Sequence, residues 1–245
     1  MKQLHRIDKN HAIYQYSDGF RFGTDAVLLS GFVRCQSHQI GVEFGTGSGI
    51  GSILLALHKP FRKIFALEIQ PAYTALATEN VALCGFSDRI CVVEGDLKCA
   101  KSLGLPAVDF VFANPPYLKK NSGKLSASPT RALCRHEELC TIDDVCRSAA
   151  DLLKDRGSLY LVYRPARLSD LFWSMRQNGI EAKSLIPVAV RQGAKPSLVL
   201  VRGVKGARAG LVMEAPFLLE DQNGAPSKDA KRLYDTGDLF GKGDK

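Results

Sequence analysis

The stretch "VEFGTGSGIG", Val42 to Gly51, decides the fold. The apolar run Ile40–Phe44 reads as a short strand, and the helix-like "GSILLALHK" follows the glycines. A dinucleotide fingerprint needs its third glycine three places after the second. Counted from Gly45 that place is Ile50, and counted from Gly47 it is Ser52. Hydride chemistry on a nicotinamide cofactor therefore loses its strongest support. What remains is an acid, Glu43, one residue, and then Gly45-x-Gly47-x-Gly49-x-Gly51. Glycines in this pattern let a ligand approach the backbone closely. A bare strand-to-helix turn has no need of four glycines at alternate positions.

Outward from the loop, strand-like and helix-like segments alternate. "KIFALE" (63–68) is a second strand, and Pro71 opens a helix that Gly85 closes. "RICVVEGD" (89–96) and "VDFVFANP" (108–115) are the third and fourth strands. Thr141 and Asp144 make a capping-box-like start to a helix running to about Lys154. A strand (158–164), a helix ending at Gly179 and two last strands, "EAKSLIPVAV" and "SLVLVRGV", follow. Upstream, the runs around Ser17-Asp18-Gly19 read as a β-hairpin, and Asn223-Gly224 is a turn signal near the far end.

This pattern predicts an α/β chain: a Rossmann-like, doubly wound, mostly parallel seven-stranded sheet with a terminal antiparallel strand. One domain is expected over 1–245, with an N-terminal hairpin in 1–23 and a core in 24–204. A C-terminal hairpin and a loose tail are expected in 205–245. In such folds ligands bind beyond the carboxyl ends of the strands, at the switch point. The glycine loop, the acids and the Asn-Pro corner below all fall at strand ends.

The 245 residues carry a net charge of +8, which suits a polyanionic partner as well as plain solubility. No run reaches the ~18 apolar residues of a membrane span, and the first residues lack a signal-peptide core, so a cytoplasmic location is expected. The seven cysteines form no C-x-x-C pair, and Cys134, Cys140 and Cys146 near His136 match no common zinc spacing. No metal is expected.

Glu68 ends the second strand 23 residues after Gly45, where an acid can accept both hydroxyls of a ribose. Asp96 ends the third. Each acid alone could be a solvated helix starter; three acids at three successive strand ends make a stronger pattern. At the end of the fourth strand stands Asn114-Pro115-Pro116-Tyr117. Two prolines stop a strand abruptly, leaving an amide, a bare carbonyl and an aromatic ring at one rigid corner.

The glycine loop resembles motif I of the class I S-adenosylmethionine-dependent methyltransferases, with Glu43 where Asp is commoner. The Asn-Pro-Pro-Tyr corner resembles motif IV of the amino methyltransferases. Four longer segments resemble one subfamily, the bacterial tRNA1(Val) adenine-N6 methyltransferases and their close relatives. These are "FRFGTDAVLLSGF", "ALEIQPAYTALATENV", "RHEELCTIDDVCRSAADLLKDRG" and "LVYRPARLSDLFWSMRQNGIEAK".

The resemblance implies S-adenosylmethionine as cofactor, S-adenosylhomocysteine as product and a tRNA adenosine beside the anticodon as target. It implies cofactor contacts from Thr24, Asp25, Glu43, Gly45, Gly47, Gly49, Glu68, Ile69, Asp96, Leu97 and Asn114. A plain helix N-cap role suits Thr24 or Asp25 equally well. Asn114, Pro115 and Tyr117 are the implied catalytic residues: two acceptors grip the amine and the ring stacks on the base. Pro116, Lys119, Lys120, Arg131, Arg135 and His136 join Tyr117 as implied substrate contacts, the basic ones on phosphates. Either a monomer or a homodimer is compatible. Glutamine N5 methylation of a protein is the alternative activity, and a non-catalytic RNA or cofactor binder on the same fold is a third reading.

Overall fold

The computed structural model describes residues 1–17, 23–115 and 140–240. Seven long strands form the sheet: β3 (Ile40–Phe44), β4 (Lys63–Glu68), β5 (Ile90–Glu94), β6 (Val108–Ala113), β7 (Leu153–Tyr163), β8 (Ile180–Ala189) and β9 (Leu198–Lys205). Their spatial order is β5-β4-β3-β6-β7-β9-β8, and only β9 runs antiparallel to its neighbours. That strand is the last of the seven in sequence, as expected, yet it sits between β7 and β8 rather than at the sheet edge. Two short additions, β10 (Val212–Met213) and β11 (Phe217–Leu218), each pair parallel with β8.

Side chains alternate across each strand, so the sheet is buried on both faces. Phe110 and Phe112 point into one core with Ile53, Leu55 and Ile64. Val111 and Ala113 point into the other with Val145, Ala149 and Leu171. The first core is covered by α1 (Thr24–Phe32), α2 (Ile50–His58), α3 (Pro71–Leu83) and α6 (Lys228–Thr236). The second is covered by a 3-10 turn at Leu97–Leu103, α4 (Ile142–Leu152) and α5 (Leu168–Gln177). The expected capping box at α4 is complete: Thr141 Oγ1 accepts from the Asp144 N–H, and Asp144 accepts from the Thr141 N–H. Among the described residues no helix is long and apolar enough to cross a membrane.

The N-terminal hairpin expected in 1–23 is present: β1 (Lys2–Arg6) pairs antiparallel with β2 (Ala12–Tyr16), and Asp18 and Gly19 lie outside the described residues. Asp8 closes its turn by accepting from the N–H groups of Asn10 and His11. At the other end the chain through Phe240 is not a loose tail, and the turn at Asn223-Gly224 closes only a single antiparallel bridge, Glu220 with Pro226. β10 and β11 both add to β8, and α6 docks instead, its Ser227 cap accepting from the Ala230 N–H. Leu233 and Leu239 are buried, Leu233 packing over Gly31 of α1. A side chain at Gly31 would overlap Leu233, so the glycine admits the helix.

Candidate active site at the switch point

The strand order reverses between β3 and β6. Phe44 is paired with Leu67 on one side and Ala113 on the other. The next residues, Gly45, Glu68 and Asn114, therefore stand abreast at three adjacent strand ends. Neighbouring strands lie about 4.8 Å apart, so the glycine loop and the Asn-Pro corner share one cleft. The sequence placed both motifs at strand ends; the register shows that those ends are adjacent.

Gly45, Gly47 and Gly49 take φ values of +66°, +56° and +84°. Left-handed backbone of this kind strongly favours glycine. A Cβ at Gly45 or Gly47 would meet no atom within 4 Å, so the loop presents bare backbone to open space. Gly51 serves a different purpose: a Cβ there would lie 2.1 Å from Glu43 Oε1.

Glu43 is buried and braces the loop from beneath. Its Oε2 accepts from Thr46 Oγ1 at 2.6 Å, from the Ser52 N–H at 3.0 Å and from Ser52 Oγ. Glu68 holds the loop from the side, Oε2 accepting from the Gly47 N–H at 2.9 Å and Oε1 from the Gln70 N–H at 3.0 Å. Glu43 Oε2 is filled by these three donors, whereas each Glu68 oxygen takes one of the bonds named and has a second lone pair for a ligand donor. Neither acid has an ion-pair partner among the described residues. Two buried carboxylates under an open glycine loop suit a ligand that brings its own cations and hydroxyls. The ammonium, sulfonium and ribose of S-adenosylmethionine supply these groups, so the residues present fit that cofactor.

Burial pushes the Glu43 carboxyl up to about 7, against the hydrogen bonds from Ser52 and Thr46, and Glu68 pushes in the same direction. Burial also raises Glu68, while its backbone bonds pull the other way. Between about pH 4.5 and 7 the folded protein holds a proton on Glu43 that the unfolded chain has released. Stability of the cofactor-free protein is expected to fall as pH rises through that window, by on the order of 3 kcal/mol. Urea denaturation from pH 5 to 8 measures it. Glu43→Gln should flatten the slope; a wild-type profile already flat would refute the assignment.

Asp96 caps the 3-10 turn, Oδ1 accepting from the Lys98 N–H at 2.9 Å, and pairs with Lys98 Nζ. Leu97, which follows it, is half-buried against the second core. Ile69, beside Glu68, is 43% exposed, an unusual position for so apolar a residue. Thr24 and Asp25 open α1, but neither is its N-cap, which is Gly23. Asp25 instead reaches Asn114, whose Nδ2 donates to Asp25 Oδ2 at 2.9 Å. Pro115 is buried at the corner. Pro116, Tyr117, Lys119, Lys120, Arg131, Arg135 and His136 lie outside the described residues. No group of metal-ligating side chains occurs among the described residues.

One structural residue escaped the sequence reading. Asn80, fully buried in α3, accepts from the Tyr14 N–H and donates to the carbonyls of Tyr14 and Ser48. It ties the hairpin to the glycine loop. Its signal was a polar residue on the apolar face of Leu76, Ala77 and Val81. A separate concavity of about 570 Å³, lined by Arg34, Glu214, Asp229, Arg232 and Phe240, lies on the β8 flank. Strands β7 and β9 separate β8 from β6, so that hollow is distinct from the Asn114 cleft.

No protein-family model matches the chain. Its sequence is 31% identical over 170 residues to the tRNA1(Val) (adenine(37)-N6)-methyltransferase of Porphyromonas gingivalis, covering 66% of each chain, just under two thirds of that relative. Proteins of the same name from Bacteroides thetaiotaomicron and Shewanella loihica are 29% and 26% identical, over 80% and 93% of their lengths and 79% and 93% of this chain. Among solved structures, a predicted O-methyltransferase of Agrobacterium tumefaciens superposes with a TM-score of 0.73 at 20% identity, covering 89% of this chain and 99% of that one. The tRNA m1G37 methyltransferase of M. jannaschii gives 0.57 at 13% identity, covering 84% and 57%. The glycine loop and the Asn-Pro corner meet at the switch point of this fold, and the chain is similar in sequence to proteins named tRNA1(Val) (adenine(37)-N6)-methyltransferase.

Proposed function

We propose that this protein methylates the exocyclic nitrogen of an adenosine in tRNA, the residue beside the anticodon of a valine tRNA. The observation that carries the reading is the strand register, which sets Gly45 between Asn114 and Glu68. When bound, S-adenosylmethionine supplies an electrophilic methyl group on its sulfonium.

The chain's own residues do the rest. Glu68 holds the loop and offers lone pairs to ribose hydroxyls, and Glu43 supports the loop with a buried carboxyl. An adenine amine is a poor nucleophile because its lone pair is delocalised into the ring. Asn114 Oδ1 and the Pro115 carbonyl accept its two N–H groups and turn the lone pair towards the methyl group. The two acceptors would hold the amine while its lone pair takes the methyl from the bound cofactor, which leaves as S-adenosylhomocysteine, and while its extra proton passes to solvent. Positioning and two well-placed acceptors supply the catalysis. Tyr117 stacks on a base that has left its own stack. Lys119, Lys120, Arg131, Arg135 and His136 contact the flanking phosphates, and a tRNA substrate places the enzyme in the cytoplasm.

Labelled cofactor, total bacterial tRNA and nucleoside analysis test the reading. Label on adenosine N6 is expected, with a rate that falls steeply as salt rises. Label confined to protein, with little salt dependence, would replace it with glutamine methylation.

A further inference from the structure

We infer that Asp25 is a positioning residue: it fixes which way the Asn114 amide faces, and so which atom meets the substrate amine. The inference rests on the reading of Asn114 as the group that grips that amine, and it reassigns a residue expected to touch the cofactor.

The two residues are 89 positions apart in sequence and joined by a 2.9 Å hydrogen bond. A carboxylate has only acceptors, whereas an amide has a donor end and an acceptor end. The end of Asn114 facing Asp25 must therefore be Nδ2. With the amide turned the other way, two oxygens would confront each other. Locking Nδ2 on Asp25 turns Oδ1 away from it, as an acceptor. An amine bearing two N–H groups needs an acceptor there; a presented NH₂ would repel it.

The local backbone is arranged for this contact. Asp25 sits in the first turn of α1, where a carboxylate is favoured by the helix dipole. The N-cap, Gly23, contributes no side chain to the helix end. A Cβ at Gly23 would lie 2.7 Å from Asp25 Oδ1, so the missing side chain makes room for the carboxylate. The bond also attaches α1 to the end of β6.

Four variants compared with wild type under single turnover, at saturating cofactor and total tRNA, test the assignment. Asp25→Ala should lower the transfer rate about ten- to a hundredfold, with cofactor affinity by calorimetry within about threefold. Asp25→Asn should also be slow, because an amide at 25 can donate as readily as accept and no longer selects the flip. Asn114→Asp should be the slowest, with two carboxyl groups facing each other. In the exchanged pair, Asp25→Asn with Asn114→Asp, Asn at 25 donates to one oxygen of Asp at 114 and leaves the other as acceptor. That double variant should recover at least about tenfold over Asn114→Asp alone. Independently of turnover, the Asn114 side-chain amide resonances should move in Asp25→Ala while the protein still melts cooperatively.

Unchanged transfer in Asp25→Ala, or no recovery in a folded, cofactor-binding exchanged pair, overturns the positioning role. Loss of cofactor affinity in Asp25→Ala with an unchanged rate overturns it in favour of a direct cofactor contact. A wild type that labels neither RNA nor a protein amide removes the functional reading itself, and the positioning role with it.

Discussion

Asn114→Ala is expected to slow methyl transfer about a thousandfold while leaving cofactor affinity within about threefold. The bonds that brace the glycine loop run through Glu43, Glu68 and Asn80, so alanine at 114 leaves them intact. What alanine removes is one of the two acceptors proposed to hold the amine. Deleting a single preorganised hydrogen-bonding group at a reacting centre costs about 10²–10³ in rate. Here the same group also sets the direction of the lone pair, and misorientation adds to the loss. Single-turnover transfer and calorimetric titration of the same preparation separate the two effects. Normal turnover in the variant would remove Asn114 from the mechanism. A large loss of affinity with it would make Asn114 chiefly a cofactor residue.

That separation depends on the strand register, which no local pattern in the chain encodes. The glycine loop was legible because left-handed φ at Gly45, Gly47 and Gly49 demands glycine, and the demand is written in composition. The seven strands were legible because each is a short apolar run with a breaker behind it. The α4 cap was legible because Thr141 and Asp144 act within one turn. Long-range partnerships left no such mark. Nothing local in Asp25 announces a bond to a residue 89 places on, and nothing local in Asn80 announces that it holds Tyr14 and Ser48 together.

The C-terminal end was misread for a related reason. α6 buries only Ala230 and Leu233 among charged neighbours, one short apolar stripe on a polar helix. Its docking depends on a space at Gly31 that belongs to another part of the chain. At the N-terminal end the hairpin expected in 1–23 is present, and its turn is closed by the Asp8 side chain in place of backbone partners, a contact no Gly or Pro signal announces.

Glu68→Ala is expected to act on the cofactor rather than on chemistry, lowering its affinity by about a hundredfold or more. Glu68 is 5% exposed, and its two oxygens already hold the Gly47 and Gln70 N–H groups. Alanine therefore withdraws two proposed acceptors for ribose hydroxyls and unties the loop that carries them. Hydrogen bonds to a charged group are worth about 1.5–3 kcal/mol each, so loss of two approaches three orders of magnitude before any loosening of the loop. Glu68→Gln divides the effects. Its one carbonyl oxygen can keep the Gly47 bond, so the loop stays tied while one side of the ribose site loses its acceptor. An affinity between wild type and Glu68→Ala is expected. The cofactor-free variants should not be strongly destabilised, because burial holds the Glu68 carboxyl above its ordinary value and removing it relieves that cost. Calorimetry with S-adenosylhomocysteine, paired with thermal melts of the cofactor-free proteins, measures both. Unaltered affinity in Glu68→Ala would end the ribose assignment; a collapsed melt would make Glu68 a brace of the fold first and a ligand residue second.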